Sequence, residues 1–542
     1  MRWVSARWTL PLFCASVALT VLAQAGIFEE PILVDRAYFA YLGQALLRGE
    51  PIYTQTFFYY PPLGPLVSAA SMAIGRLFDV PTYLAARFTS VLIGAASAAL
   101  MYELCGGATR SRWSALIGAF ALTGFGVLTT FVLATLEPKL LVLFFTLVAA
   151  LAVQRRRWGL AGLASGAAVI SWQPGGLVGL ACAAALISSE GARRSPAIRR
   201  FALGIAMGML PAGAYLTLSG SWWGFWQRAV LFPLQGNLHM SARPEAWLHV
   251  MQRDFGNEIV VFATAALGFG GFALHSARKG MRGGLGVWLA PGMGGMPLLA
   301  AGWIAFNTLE FQGWADMVPI LPIVAFWMAW ACDGALTGLR TLALRLWGRD
   351  WGVRIAHLAA AGLTAAFAVY AFADAWNHTP GMTLQEEQAL VAKIMAPVGP
   401  NDKVVAYGAS EIYVLTDRPS PNGFLNLNRF FLPVAHTVGL NGCEGVWERL
   451  IAQQPAVVVI NRWGFKTVCF PLISRGLRAL GYTESVRRPR LRQNRSYFPN
   501  PRDIVEIRWL VYSRAGSRDP MPAPRRARAG QGYEVATPPR SK

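Results

Sequence analysis

Long apolar runs dominate this chain, and short arginine-rich segments separate them. The stretches WTLPLFCASVALTVLAQAGI at 8–27 and LAARFTSVLIGAASAALMYEL at 84–104 are typical. Each reaches the roughly 20 residues that a helix needs to cross a bilayer. Charged residues make up only 14% of the chain and hydrophobic ones 54%, whereas a soluble domain of this size carries about 25% charge. A polytopic α-helical membrane protein is the fold class that follows.

The formal net charge of +21 does not point to nucleic acid. The basic residues cluster between apolar runs, as in RRRW at 155–158, ARRSPAIRR at 192–200, ARKGMR at 277–282 and RTLALRLWGRDWGVR at 340–354. That is the positive-inside pattern, with anionic headgroups of the lipid bilayer as neighbours. Threading from a cytoplasmic N-terminus gives about eleven transmembrane helices, at 8–27, 84–104, 113–134, 137–153, 159–171, 174–188, 201–219, 258–274, 286–306, 317–335 and 354–376. The first run reads as a span and not as a removed signal peptide. The pair at 159–188 is short in each half and reads as two spans or as a kinked hairpin turning at Gln173-Pro174.

An odd number of spans puts residues 28–83, 220–257, 307–316 and everything after 377 outside. Residues 1–376 then form the transmembrane domain. Its first external loop, 28–83, holds two interfacial helices, DRAYFAYLGQALLRG and LGPLVSAASMAIGRLF. The first has Tyr38, Leu42, Ala45 and Leu46 at helical spacing. Residues 377–513 alternate strand-like runs (KVVAYG, AVVVIN, DIVEIRWLVYS) with helical ones, predicting a C-terminal α/β periplasmic domain. Residues 514–542 are rich in Pro, Gly and Arg and predict a disordered basic tail. Cys443 and Cys469, the two cysteines of the soluble part, are candidates for a disulfide in an oxidising compartment.

The outer loops collect the candidate functional residues: Asp35, Arg36, Tyr59, Tyr60, Glu137, Arg228, His239, Arg243, Glu310 and Asp316, with Arg87 at the mouth of the second span. Each has a plain alternative. Asp35 can cap the helix that follows it, and the arginines can contact headgroups. Glu137 can sit at its helix start because the dipole favours an acid there. His239 can be an ordinary surface residue. No metal-ligand spacing, phosphate-cradling glycine loop or nucleophile elbow is present in the sequence.

The order of these features carries more than any member. An acid opens the first outer loop, a helix ends in LLRGEPIY, YYPPLG follows, and AARFTSVLIG enters the next span. This order resembles the GT-C glycosyltransferases, and most closely the bacterial protein O-mannosyltransferase and lipid A aminoarabinose transferase group. LEPKLLVLFFTLVAALAVQRRRWGLAGLASGAAVISWQPGGLV, FQGWADMVPILPIVAF and VVAYGASEIYVLTDRPSP resemble later parts of that group. Many relatives carry Asp-Glu where this chain has Asp35-Arg36, so Asp35 is the single carboxylate at that position.

The resemblance implies an inverting glycosyltransferase of the bacterial inner membrane. It would move a sugar from a polyprenyl-phosphate donor to a hydroxyl of an envelope acceptor, whether glycan, lipid or protein, with no divalent metal expected. Asp35 would take the acceptor proton, and Glu137 would assist it or orient the acceptor. Arg36, Arg87, Arg228 and Arg243 would hold phosphate. Tyr59 and Tyr60 would stack on sugar, and His239 and Glu310 would complete the donor site. Two other classes compete: an O-antigen-type ligase or polymerase using pyrophosphate-linked glycans, and a lipid or glycan transporter. The first leans on a large late outer loop, and the second predicts acids or broken helices at mid-membrane and an internal repeat.

Overall fold

The computed structural model describes residues 29–32, 35–109, 111–133, 135–190, 194–236, 250–252, 255–256, 258–278, 288–309, 314–376, 382–423, 425, 441–461, 469–487, 490–492, 504–506 and 509–514. The apolar run at 8–27, the tail after 514, His239, Arg243 and Glu310 lie outside the described residues.

The protein is a multi-pass membrane protein. Among the described residues, four helical stretches are long and apolar enough to cross a bilayer: Thr82–Ala108, Arg194–Leu218, Ile259–Arg278 and Ala315–Val369. Shorter apolar helices, Pro138–Gln154, Trp158–Ser171, Gly176–Ser189 and Met296–Leu309, pack among them. Their shared core runs from Val91 to Cys332 and includes the fully buried Leu104, Leu147, Val178 and Trp303.

Two runs read as uniform spans in the sequence are broken, and two others are joined end to end. The run at 113–134 is two helices, Arg112–Thr123 and Gly126–Leu133, bent by 62°. The break is tolerated because the carboxylate of Glu258 accepts the Gly126 N–H at 3.3 Å, and freed backbone groups at membrane depth need such partners. Within the run at 286–306, residues 289–295 leave the α-helical path, and regular helix resumes at Met296 just after Gly294 (φ 61°) and Gly295 (φ 75°) take the left-handed conformation. The runs at 317–335 and 354–376 lie on two helices within Leu321–Trp376 that meet directly at a kink at Gly348 (φ 73°). The intervening RTLALRLW consists mainly of good helix formers, so the basic segment is a helical extension and not a loop.

Small residues let two helices touch backbone to backbone. A Cβ on Gly162 or Gly166 would overlap the carbonyls of Phe201 or Ile205, and one on Gly204 or Gly208 would overlap those of Gly159 or Leu163. This is the small-residue packing by which helices associate in lipid. Gly204→Leu is expected to force the pair apart and cost at least ~1–3 kcal/mol. Thermal unfolding of the detergent-solubilised protein should show the loss, and an unchanged transition would contradict the close crossing.

After residue 382 the chain builds a mixed sheet. β1 (Val404–Tyr407), β2 (Val457–Asn461), β3 (Tyr482–Arg487) and β6 (Trp509–Arg514) are arranged in the order β1-β2-β6-β3. β1 and β2 are parallel, with Val404 opposite Val457, and β6 is antiparallel to both of its neighbours. β4 (Arg490–Arg492) and β5 (Ile504–Glu506) form a separate antiparallel pair. Every residue of β1 and β2 is buried, as expected of strands covered on both faces. Helices Gly442–Ala452 and Phe470–Ala479 pack on one face, and their starts are joined by a disulfide between Cys443 and Cys469, with Cα atoms 4.9 Å apart.

The other face of the sheet meets the 29–83 segment. Val404, Ala406, Val457, Val459, Trp509 and Val511 share one apolar cluster with Tyr38, Tyr41, Leu42, Tyr53 and Phe58. Helix Asp35–Leu47 is therefore enclosed, with Ala37, Ala40, Tyr41, Leu42 and Ala45 all at 0% exposure, and it is not laid on a lipid surface. Helix Leu63–Arg76 leaves Ile74 exposed, and Leu77 and Phe78 beyond its end are exposed as well, which is the behaviour of an interfacial segment.

Candidate functional site

Asp35 is the first residue of the 35–47 helix. Two contacts fix this helix start against the rest of the molecule. The Thr135 hydroxyl donates to the Arg36 carbonyl at 2.8 Å. The Arg36 guanidinium pairs with Glu30 at 2.9 Å, with only 4% of the Glu30 side chain exposed. Thr135 lies two residues before Glu137, which caps the start of the Pro138–Gln154 helix by its backbone. Asp35 and Glu137 thus belong to two segments that the fold brings together. Gly64, just after Pro61-Pro62, approaches the Leu136 carbonyl from the other side.

Two residues beyond Glu137, Lys139 enters the membrane helix with a charge. Its Nζ lies 2.6 Å from the Asp316 carboxylate and 5.0 Å from the centre of the Trp172 ring. Trp172 is stacked on the buried Trp303, and Phe306 meets both edge-on. The cation is held between an acid and an aromatic face.

Gln173, at the turn between two short helices, donates to the Tyr59 carbonyl at 3.1 Å and to the Ala229 carbonyl at 2.6 Å. That clamps the YYPP segment to the 222–236 helical stretch. The Tyr59 and Tyr60 rings lie 4.4 Å apart. Tyr59 also meets Phe57 and Phe232, and Tyr60 meets Phe39 and Phe58. The Tyr53 hydroxyl donates to the Tyr60 carbonyl at 2.6 Å. The two tyrosines are half-buried members of an aromatic cluster.

Arg228 donates to the Thr56 carbonyl at 3.0 Å and lies over the Phe57 ring. Burial lowers its guanidinium pKa to about 10, and Arg449 adds to the shift. It remains a cation at neutral pH. Arg87 is 1% exposed and reaches the Pro31 carbonyl at 3.4 Å. It and Arg36 both converge on residues 30–31.

The same corner holds Glu387, which is fully buried on helix Leu384–Met395 and accepts the Ile32 N–H at 2.8 Å. Burial pushes its carboxyl up to about 8, against the pull of the Ile32 N–H and of Arg87 and Arg36, with Glu30 adding to the rise. Glu30, Lys139 and Glu387 escaped the sequence reading. Lys139 had a signal, since it is a lone lysine in the first turn of an apolar run. Glu387 had none beyond being an acid in a helix of ordinary composition.

No family model matches this chain, and no curated protein does. Solved structures do match. ArnT from Cupriavidus metallidurans, bound to undecaprenyl phosphate, matches with a TM-score of 0.56 and 12% identity over 94% of this chain and 98% of that one. The chain has the GT-C fold. Two structures from Archaeoglobus fulgidus agree with this: the apo oligosaccharyltransferase, at a TM-score of 0.52 and 12% identity, and AglB in complex with an inhibitory peptide and a dolichol-phosphate, at 0.51 and 11%. Both cover 85% of this chain and 70% of theirs.

Proposed function

We propose that this protein transfers a sugar from a polyprenyl-phosphate donor to a hydroxyl of an envelope acceptor, on the periplasmic face of a bacterial inner membrane. The observation that carries the reading is the contact between the Asp35 helix start and the 135–139 turn. It joins the helix start that carries Asp35 to the segment that carries Glu137 and Lys139. A fold shared with a protein bound to undecaprenyl phosphate supports a lipid-phosphate donor of the same class.

A sugar carried on a lipid phosphate already has a good leaving group, so the protein has two tasks. A carboxylate must take the proton from the attacking hydroxyl, and cations must meet the charge that grows on the departing phosphate. Asp35 is assigned the first task. The acceptor oxygen bonds to the anomeric carbon from the face opposite the phosphate, and the C–O bond to phosphate breaks with its electron pair leaving on the phosphate. The proton ends on Asp35. Arg36, Arg87 and Arg228 are the candidate cations for the phosphate, and Lys139 joins them. Tyr59 and Tyr60 supply the aromatic surface for the sugar, and Glu137 an acceptor contact. The eleven-span topology, a soluble domain at 377–513 and its outward orientation belong to the same reading.

The test is turnover by the full chain in nanodiscs, offered arabinose, mannose, glucose and galacturonic acid polyprenyl-phosphates and assayed by release of lipid phosphate. One donor consumed names the sugar. Consumption of a pyrophosphate-linked oligosaccharide, with none of the monophosphate donors touched, would replace this reading with the ligase one.

A further inference from the structure

The part of the chain after residue 382 does more than sit on the membrane helices. Two hydrogen bonds from the first turn of helix Leu384–Met395 hold residues 29–32, the segment that leads into Asp35. The Leu384 N–H donates to the Glu29 carbonyl, and the Glu387 carboxyl accepts the Ile32 N–H. The helix start is itself fixed by a capping box between Thr383 and Glu386. Next to it, Gln388 donates to the Tyr83 hydroxyl at 2.9 Å, one turn before Arg87.

The corner is expensive. Glu387 is at 0% exposure, Glu30 at 3% and Arg87 at 1%. The second oxygen of Glu387 has no hydrogen-bond partner among the described residues. Apolar side chains of similar size would glue two parts together as well or better. What ionisable groups add is direction: the Ile32 N–H is taken by Glu387, the Pro31 carbonyl accepts from Arg87 and Arg36, and the Glu30 carboxylate accepts from Arg36.

We infer that Glu387 is a positioning residue: through the Ile32 N–H it sets where the Asp35 helix begins, so the appended domain holds the catalytic loop in register with the membrane helices. The inference rests on the glycosyl-transfer reading for its catalytic consequence, but the tether exists or fails independently of that chemistry. Glu387 touches no reacting atom. Only two residues, Leu33 and Val34, separate Ile32 from Asp35, and the Thr135 hydroxyl holds the Arg36 carbonyl just beyond.

The experiment compares full-length wild type with Glu387→Leu, Glu387→Gln and Asp417→Asn. It reads hydrogen exchange over residues 29–40 together with kcat and donor KM. Asp417 pairs with Arg48 on the exposed rim of the same contact and serves as the control. Glu387→Leu should speed exchange at 29–36 only and lower kcat ~100-fold, the loss that a displacement of about 1 Å produces, with donor KM within threefold. Glu387→Gln keeps an oxygen for the Ile32 N–H and should recover most of that loss, and Asp417→Asn should match wild type. The inference is overturned if Glu387→Leu keeps wild-type kcat and exchange. It is equally overturned if exchange rises across the whole of 384–513, or if Asp417→Asn loses as much as Glu387→Leu. A wild type that turns over no donor sinks the glycosyl-transfer reading, and exchange at 29–36 then decides the tether by itself.

Discussion

Asp35→Asn is expected to lower sugar transfer by ~10²–10⁴-fold, the range that a positioned general base contributes, with binding of the donor lipid retained. The amide keeps the size and the capping capacity of the carboxylate but cannot accept the acceptor's proton. The helix start is held by Thr135 and by the Glu30–Arg36 pair, neither of which uses the Asp35 side chain, so the fold should be untouched. Transfer measured at saturating donor isolates the chemical step. Full activity in the variant would move the base to Glu137, which the fold sets in the adjoining segment. Activity lost together with lipid binding would make Asp35 a binding group and not a base.

The second large effect belongs to Asp316. Its carboxylate and the Lys139 ammonium lie 2.6 Å apart, with 4% and 12% of their side chains exposed. Asp316→Ala strands a buried cation, and breaking such a pair from one side costs about 3–5 kcal/mol. Removing both charges, as Lys139→Met with Asp316→Leu, should recover much of that stability, because no charge is then left unmatched. Unfolding in mixed micelles would register both changes. A single variant as stable as wild type would mean that water already reaches the pair. A double variant that regains stability but not transfer would assign Lys139 to the donor phosphate.

Much of the membrane part was legible, because bilayer thickness leaves few choices for a 20-residue apolar run. The spans that differed did so for local reasons. Gly294-Gly295 and Gly348 are backbone switches whose direction a hydropathy window does not register, and the bend near Gly124 depends on Glu258, which is distant in sequence. Helix 35–47 was visible from the spacing of Tyr38, Leu42 and Ala45, yet its burial was not. Its polar positions Gln44 and Arg48 reach across the chain, Gln44 donating to the Val414 carbonyl and Arg48 pairing with Asp417. The site divides in the same way. Residues adjacent in sequence to a recognisable pattern, such as Tyr59, Tyr60 and Glu137, were found. Those recruited across the chain, such as Glu387, 355 positions beyond Ile32, left no periodic trace.

The seating of the sheet on the 29–83 segment also bears on the order in which the molecule can be assembled. Residues 29–83 leave the ribosome early, while the strands and helices that enclose Tyr38, Tyr41 and Phe58 leave it last. The Ser420 N–H that meets the Tyr41 hydroxyl is 379 residues downstream. Proteins generally fold from the N-terminus onward during synthesis, but this loop has to wait, with its aromatic side chains uncovered, until the membrane helices are inserted and the Cys443–Cys469 bond closes. This early-made segment is therefore among the last to reach its final form, and a nascent chain stalled before residue 384 carries its candidate catalytic acid on an unfinished helix.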